Sequence, residues 1–169
     1  MHQQVIDWIG AQAAELSPNL AVLEIGSLDI NGSVRPLFPS AQSYHGIDLV
    51  PGPGVDEVAD GARWQPPRSY DVVLCAEVLE HAPAWAEVVA TMWAACAPGG
   101  RLLITCATFP RAPHSAVDGQ AVRPGEHYAN VPAQALLAVT QALGATTISC
   151  EVAMERGDLY LAVHRPADH

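Results

Sequence analysis

Ala21-Val22-Leu23-Glu24-Ile25-Gly26-Ser27-Leu28-Asp29-Ile30-Asn31-Gly32-Ser33 sets an apolar run against an acid, a glycine, a polar turn and a second glycine. This order predicts a buried parallel strand over 20–25 that breaks into a tight loop opening a helix. Gly26 and Gly32 lack the Cβ that would hold a ligand off the main chain, so the loop's N–H groups can come close to one. Plain strand-to-helix connections use the same glycines. The meaning of the turn therefore depends on what other strands bring to the same edge.

Outward from this turn the chain alternates between strand and helix patterns. Val5, Ile9, Ala13 and Leu16 recur at helical spacing before Ser17-Pro18-Asn19, which predicts an amphipathic helix over 3–16. A second strand over 43–49 carries Asp48 at its end, and a short third strand over 55–60 ends on Asp60. Residues 69–76 form a continuous apolar run suited to the centre of a parallel sheet. Trp85, Val88, Val89, Met92, Trp93 and Cys96 then share one helical face, a stripe that belongs to a core. Ala97-Pro98-Gly99-Gly100 is expected to stop that helix and turn into a fifth strand over 101–106.

The segment 107–131 contains Pro110, Pro113, Gly119, Pro124 and Gly125 and has no periodicity. A loop of that length inside a domain points to a lid or binding loop. Asn130 to Pro132 starts a last helix, with Leu136, Leu137, Thr140 and Leu143 on one face and Gly144 as its stop. Two strands over 146–153 and 158–165 flank a hairpin-sized loop containing Gly157, so they should run antiparallel.

The expected fold is α/β: a Rossmann-like, open, mostly parallel seven-stranded sheet with a terminal antiparallel hairpin and helices on both faces. It forms one domain over 1–169, made of an N-terminal helix (1–18), a core (19–106), a loop (107–131) and a closing helix and hairpin (132–169). Right-handed crossovers place ligands beyond the carboxyl ends of the strands, where the strand order reverses. The first loop, Asp48, Asp60 and Ala76-Glu77 all fall at such ends.

Composition removes several function classes. The net charge of −10 argues against a non-specific grip on nucleic acid or an anionic membrane surface. All 8 cationic residues are Arg. Without Lys there is no Walker-type phosphate loop, no Schiff-base enzyme and no tyrosine–lysine hydride-transfer pair. Cys75, Cys96, Cys106 and Cys150 lie far apart in apolar runs, with no metal-ligand or redox spacing. They are expected to be buried in a reducing cytosol, and no metal site is expected. Nothing resembles a signal peptide, and no apolar run approaches the ~18 residues of a membrane span. A cytoplasmic protein is the expectation.

The acids carry the chemistry. Asp48, about twenty residues past the first glycine, is placed to accept hydrogen bonds from both hydroxyls of a ribose. Asp60 can accept from an exocyclic amine such as that of adenine, and Glu24 can face a cationic amine. Taken singly, each acid is equally well a helix cap or a solvated turn. As an ordered set at strand ends, they favour a positively charged nucleoside over a pyrophosphate.

Val22-Leu23-Glu24-Ile25-Gly26, Gly46-Ile47-Asp48, Ala59-Asp60-Gly61-Ala62, Tyr70 through His81 and Ala97-Pro98-Gly99-Gly100-Arg101-Leu102 together resemble the class I S-adenosylmethionine-dependent methyltransferases. The likeness is to small, type 11-like domains of that family and runs from about residue 20 to 107. It implies S-adenosylmethionine as cofactor, with Glu24 and Gly26 near the methionine part and Asp48, followed by Leu49, at the ribose. Asp60 with Gly61 and Ala62 would frame the adenine, and Ala76-Glu77 would close the pocket floor. One departure stands out: Ser27-Leu28-Asp29-Ile30-Asn31-Gly32 replaces the family's glycine run. Ser27 and Asn31 would then supply side-chain hydrogen bonds beside Gly32.

The implied reaction moves a methyl group from the sulfonium to an oxygen or nitrogen of a small molecule. His81, just past the fourth strand, is the first candidate for a general base; His114, His127 and Tyr128 in the long loop are expected around the acceptor. His81 is equally well a helix-start residue bonded to backbone. The chief alternative is a catalytically silent binding or scaffold protein that keeps the fold. A nicotinamide-dependent oxidoreductase is disfavoured by the missing Gly-x-Gly-x-x-Gly spacing. An open sheet edge leaves room for a homodimer.

Overall fold

A computed structural model of the chain describes residues 2–167. Seven strands form one sheet: β1 (Ala21–Ile25), β2 (Ser43–Asp48), β3 (Glu57–Val58), β4 (Tyr70–Ala76), β5 (Cys96–Ala107), β6 (Thr147–Ala153) and β7 (Asp158–His164). Their spatial order is β3-β2-β1-β4-β5-β7-β6. The five strands from β3 to β5 are parallel, and β7 runs antiparallel to both β5 and β6. The chain walks outward one way through β1, β2 and β3, then returns to the centre and walks the other way from β4. The order therefore reverses between β1 and β4.

Alternation along the central strands fills two cores. Leu23, Ile25, Val73, Cys75, Leu102 and Ile104 point to one face, where α2 (Trp85–Ala95) packs through Val88, Val89, Met92 and Ala95. The predicted stripe is that face. Its fully buried aliphatic side chains are each worth roughly 1.5–3 kcal/mol of burial. α3 (Ala133–Ala142) joins the same layer through Leu136 and Thr140. On the opposite face Val22, Val72, Leu74 and Leu103 meet α1 (Gln3–Ala14), which inserts Val5 and Ile9 and stacks Trp8 near Tyr160.

Three expectations need correction. No α-helix follows β1: residues 26–42 are irregular apart from a single 3₁₀ turn at Arg35–Leu37. Pro36 and Pro39 break any helical run there, and α1 with fully buried Val34 fills the face that a crossover helix would cover. β5 begins at Cys96, because the Pro98-Gly99-Gly100 segment forms an irregularity within the strand. Cys150 is exposed, since β6 is an edge strand with one solvated face. No helix among the described residues is long and apolar enough to cross a membrane.

Candidate functional site

The β1 turn is built differently from what its glycines suggest. The N–H groups of Gly26 and Ser27 both donate to the Ile47 carbonyl of β2, at 2.8 and 3.0 Å. Leu28 N donates to Asp48 Oδ2 at 3.1 Å, Asp29 N to the Pro53 carbonyl at 2.9 Å and Gly32 N to Asp29 Oδ1 at 2.9 Å. The first four donors face β2 and the 49–54 loop, and Gly32 N turns back onto the turn's own Asp29, so none of the five is free for the expected N–H cradle. Gly26 serves close packing instead. Its φ is +84°, and a Cβ there would lie 2.2 Å from Val78 Cγ2. Ser27 is buried beneath the turn, whereas Asn31 and Gly32 are exposed at its tip.

Asp48 stands half-buried at the end of β2. Two backbone N–H groups orient its carboxylate: Leu28 on one oxygen and Val50, at 3.3 Å, on the other. A carboxylate has about four acceptor sites, so capacity remains. Beside it Leu49 is 68% exposed, an apolar surface at the rim of the crevice. Asp60 is exposed and accepts from Ala62 N at 3.0 Å, closing the turn through Gly61.

Glu24 lies deeper than expected. It is buried within β1 and its carboxylate accepts the Tyr44 hydroxyl at 2.6 Å. Burial pushes its pKa up to about 7, against the opposing effect of that hydrogen bond. Its negative charge is therefore only partial at neutral pH.

At the end of β4, Ala76 is buried and Glu77 takes a left-handed backbone conformation, φ +58°. A non-glycine residue in that region is a strained position of the kind that collects at functional sites. The Glu77 side chain turns towards the α1 side, where Oε2 lies 3.6 Å from His2 Nε2 and 3.9 Å from Arg111 Nη2. Burial pushes the Glu77 carboxyl up, but His2 and Arg111 outweigh it and hold it below its ordinary value. Arg111 also pairs with fully buried Asp158, and His2 Nε2 lies 3.3 Å from the same carboxylate. The start of α1, the long loop and β7 are thus tied together around Glu77.

The turn Leu79–His81 leads away from β4 and meets the long loop. His81, His114 and Tyr128 form an aromatic triad, with ring centroids 5.2 Å apart for His81–His114, 5.5 Å for His81–Tyr128 and 4.8 Å for His114–Tyr128. Residues 107–131 are anchored at both ends, by Thr108 N on the Gly157 carbonyl (2.7 Å) and by Ala129 N on the Glu80 carbonyl (2.8 Å). Burial, followed by the neighbouring His114, lowers the His81 pKa and keeps that ring neutral at pH 7. His127 does not join the triad: its backbone approaches His81 while its side chain is exposed.

Sequence reasoning missed Glu80. It is fully buried, and neither of its oxygens has a well-formed hydrogen bond. Burial and the nearby Glu77 charge push its pKa up to about 8. Ligand atoms of Glu80, His81 and His114 lie within 4.8 Å of one another. The available signal was a carboxylate and an imidazole adjacent in the first turn after a central strand. Tyr44, Arg111 and His2 were also missed, because their partners are distant in sequence.

A family model described as a methyltransferase domain matches residues 1–149. The chain belongs to that methyltransferase-domain family. Among solved structures this methyltransferase-family chain resembles DhpI in complex with S-adenosylhomocysteine, at 23% identity and TM-score 0.64, over 88% of this chain and 77% of that one. It also resembles an S-adenosylmethionine-dependent methyltransferase from Mesorhizobium loti, at 16% identity and TM-score 0.68, over 95% and 98% of the two chains. A third likeness is to the 1,6-didemethyltoxoflavin N1-methyltransferase of Burkholderia thailandensis, at 16% identity and TM-score 0.66, over 97% and 77%. At these identities the likeness concerns the fold. None of the curated proteins matches the sequence.

Proposed function

We propose that this methyltransferase-family chain uses S-adenosylmethionine to methylate an oxygen or nitrogen of a small molecule. One observation carries the reading: the carboxyl ends of β1 to β4 gather Asp48, Asp60 and the strained Glu77 turn around the reversal point between β1 and β4. Of the solved structures named above, DhpI and the Burkholderia thailandensis N1-methyltransferase hold S-adenosylhomocysteine in this fold.

The residues fit that cofactor. Asp48 is oriented by two N–H groups and keeps acceptor sites for a ribose diol, with exposed Leu49 as an apolar face for the adenine. Asp60, Gly61 and Ala62 would frame the base, and the Glu77 turn with Gly26 and Glu24 would border the methionine end. Ser27 lies beneath the turn and acts on its shape; Asn31 and Gly32 at the tip would flank the ligand. When bound, the cofactor supplies a methyl group activated by a positively charged sulfur. The protein's task is alignment in a dry site, and positioning of that kind contributes ~7–11 kcal/mol.

The acceptor would lie against His81, His114 and Tyr128 beneath residues 108–131. His81, neutral at pH 7, has a lone pair with which to take a proton from an acceptor hydroxyl. The net charge of −10 supports a small molecule over nucleic acid. Methyl transfer from labelled S-adenosylmethionine into a low-molecular-weight extract tests the reading directly. Label is expected in a small-molecule fraction, and its loss is expected with His81→Ala. Binding of the cofactor with no transfer into any fraction would favour the silent binding protein.

A further inference from the structure

Glu80 poses a physical problem. A fully buried carboxyl without a well-formed hydrogen bond ionises at a cost of several kcal/mol unless a cation meets it. The backbone N–H groups of Glu80 and Ala107 and the Arg111 charge favour its ionised form, but burial and the neighbouring Glu77 carboxylate outweigh them. Beside it His81 Nδ1 is likewise buried and without a well-formed hydrogen bond, although the His127 backbone approaches the ring. His114 completes the group, and the three ligand atoms lie within 4.8 Å of one another.

The donor set is specific. His114 Nδ1 lies 3.2 Å from the Ala112 carbonyl, which can only accept, so Nδ1 is the donor there and Nε2 is the nitrogen left to face a metal. Metal-bound imidazoles are held in this way, their second nitrogen donating to a backbone carbonyl. Two imidazoles and one carboxylate form the three-ligand set of zinc sites that keep a fourth position open, and imidazole favours transition metals over Mg²⁺ or Ca²⁺. Bonds of about 2.0–2.2 Å around a tetrahedral ion place the donors roughly 3.4 Å apart. The cluster would have to tighten by up to about 1.4 Å, with His114 carried on the long loop.

We propose that Glu80, His81 and His114 bind a divalent transition-metal ion whose open position takes an oxygen of the methyl acceptor. The acceptor half of this inference rests on the methyltransferase reading above. The expectation of no metal site came from cysteine spacing and looked past a Glu-His pair that a distant histidine completes. With the ion in place, the His81 lone pair serves as a ligand rather than as a base. A hydroxyl bound at the open position would become more acidic and would lose its proton to solvent water as it binds, before the site closes for transfer. Substrates with a hydroxyl are then favoured over amines.

Calorimetric titration of Zn²⁺ into the chelator-treated full chain tests the site without any turnover. One equivalent is expected to bind, and His114→Ala and Glu80→Gln should each weaken it by roughly tenfold or more. His127→Ala, which removes a loop imidazole outside the cluster, should leave the affinity unchanged. His114→Ala alters a half-exposed loop side chain, so its result stands even if the buried Glu80→Gln variant fails to fold. Absence of binding, or equal weakening by His127→Ala, overturns the proposal. Titrating S-adenosylhomocysteine into the same samples separates the two readings: its binding without Zn²⁺ binding removes the metal site alone, and Zn²⁺ binding without it removes the cofactor assignment.

Discussion

Tyr44 donates its hydroxyl to Glu24 across 2.6 Å between β2 and β1, directly beneath the turn that begins at Gly26. Burial sets the Glu24 carboxyl at about 7 instead of its ordinary 4.5. In that interval the folded group keeps a proton that the unfolded group has released, so stability falls as the pH rises from 4.5 to about 7. The size of this loss is on the order of 3 kcal/mol. Glu24→Gln should flatten the pH dependence of Tm over that range relative to the wild type. An unchanged slope would mean that Glu24 does not titrate as described. Tyr44→Phe should cost about 1–3 kcal/mol by leaving the carboxyl unpaired.

Asp48→Ala should weaken S-adenosylhomocysteine binding by at least roughly tenfold, the equivalent of about 1.4 kcal/mol. Its side chain is half-exposed and braces only backbone N–H groups near solvent, so Tm should shift by little. Equal affinity in calorimetry would remove Asp48 from the ribose.

Gly157→Ala should strongly destabilise the hairpin and release the long loop. The glycine has φ +70°, and a Cβ would meet Arg111 N at 2.4 Å and the Thr108 carbonyl at 2.5 Å. Backbone atoms cannot yield as a side-chain tip can, so a loss above about 2 kcal/mol is expected in urea unfolding. Wild-type stability would show that the 108–111 segment does not pack on the β6–β7 turn.

Arg111→Met leaves the Asp158 carboxylate buried with His2 as its remaining cation. A cost of about 3–5 kcal/mol follows from breaking a buried pair. Hydrogen exchange should accelerate across residues 108–131 and at the start of α1 before it changes in β4. Uniform acceleration would instead mean that Arg111 merely supports global stability.

Much of this was legible in local pattern. Strand runs, the Trp85–Trp93 stripe and the Gly157 hairpin each depend on neighbours close in sequence, so the strands and helices were readable, apart from bounds, the expected place of Cys96 on the helix and the helix expected after β1. That helix was misread because the glycine turn suggested a crossover, whereas what covers the face is α1, which lies before the turn in sequence. The turn's N–H groups were misassigned for a similar reason: their acceptors, Ile47 and Pro53, belong to segments that only the folded sheet brings near. His81 and His114 were named separately, and the one sequence signal for Glu80, its place beside His81 just after a central strand, does not say that its side chain points inward. Its burial in the fold reveals that.

The most direct measurement is calorimetric titration of the purified full chain with S-adenosylmethionine and S-adenosylhomocysteine. One site of micromolar affinity, with the demethylated product bound at least as tightly and Asp48→Ala weakening both, is the predicted result. No heat with either compound, in protein shown to be folded by its unfolding transition, would contradict the cofactor site and the methyltransferase activity proposed on it.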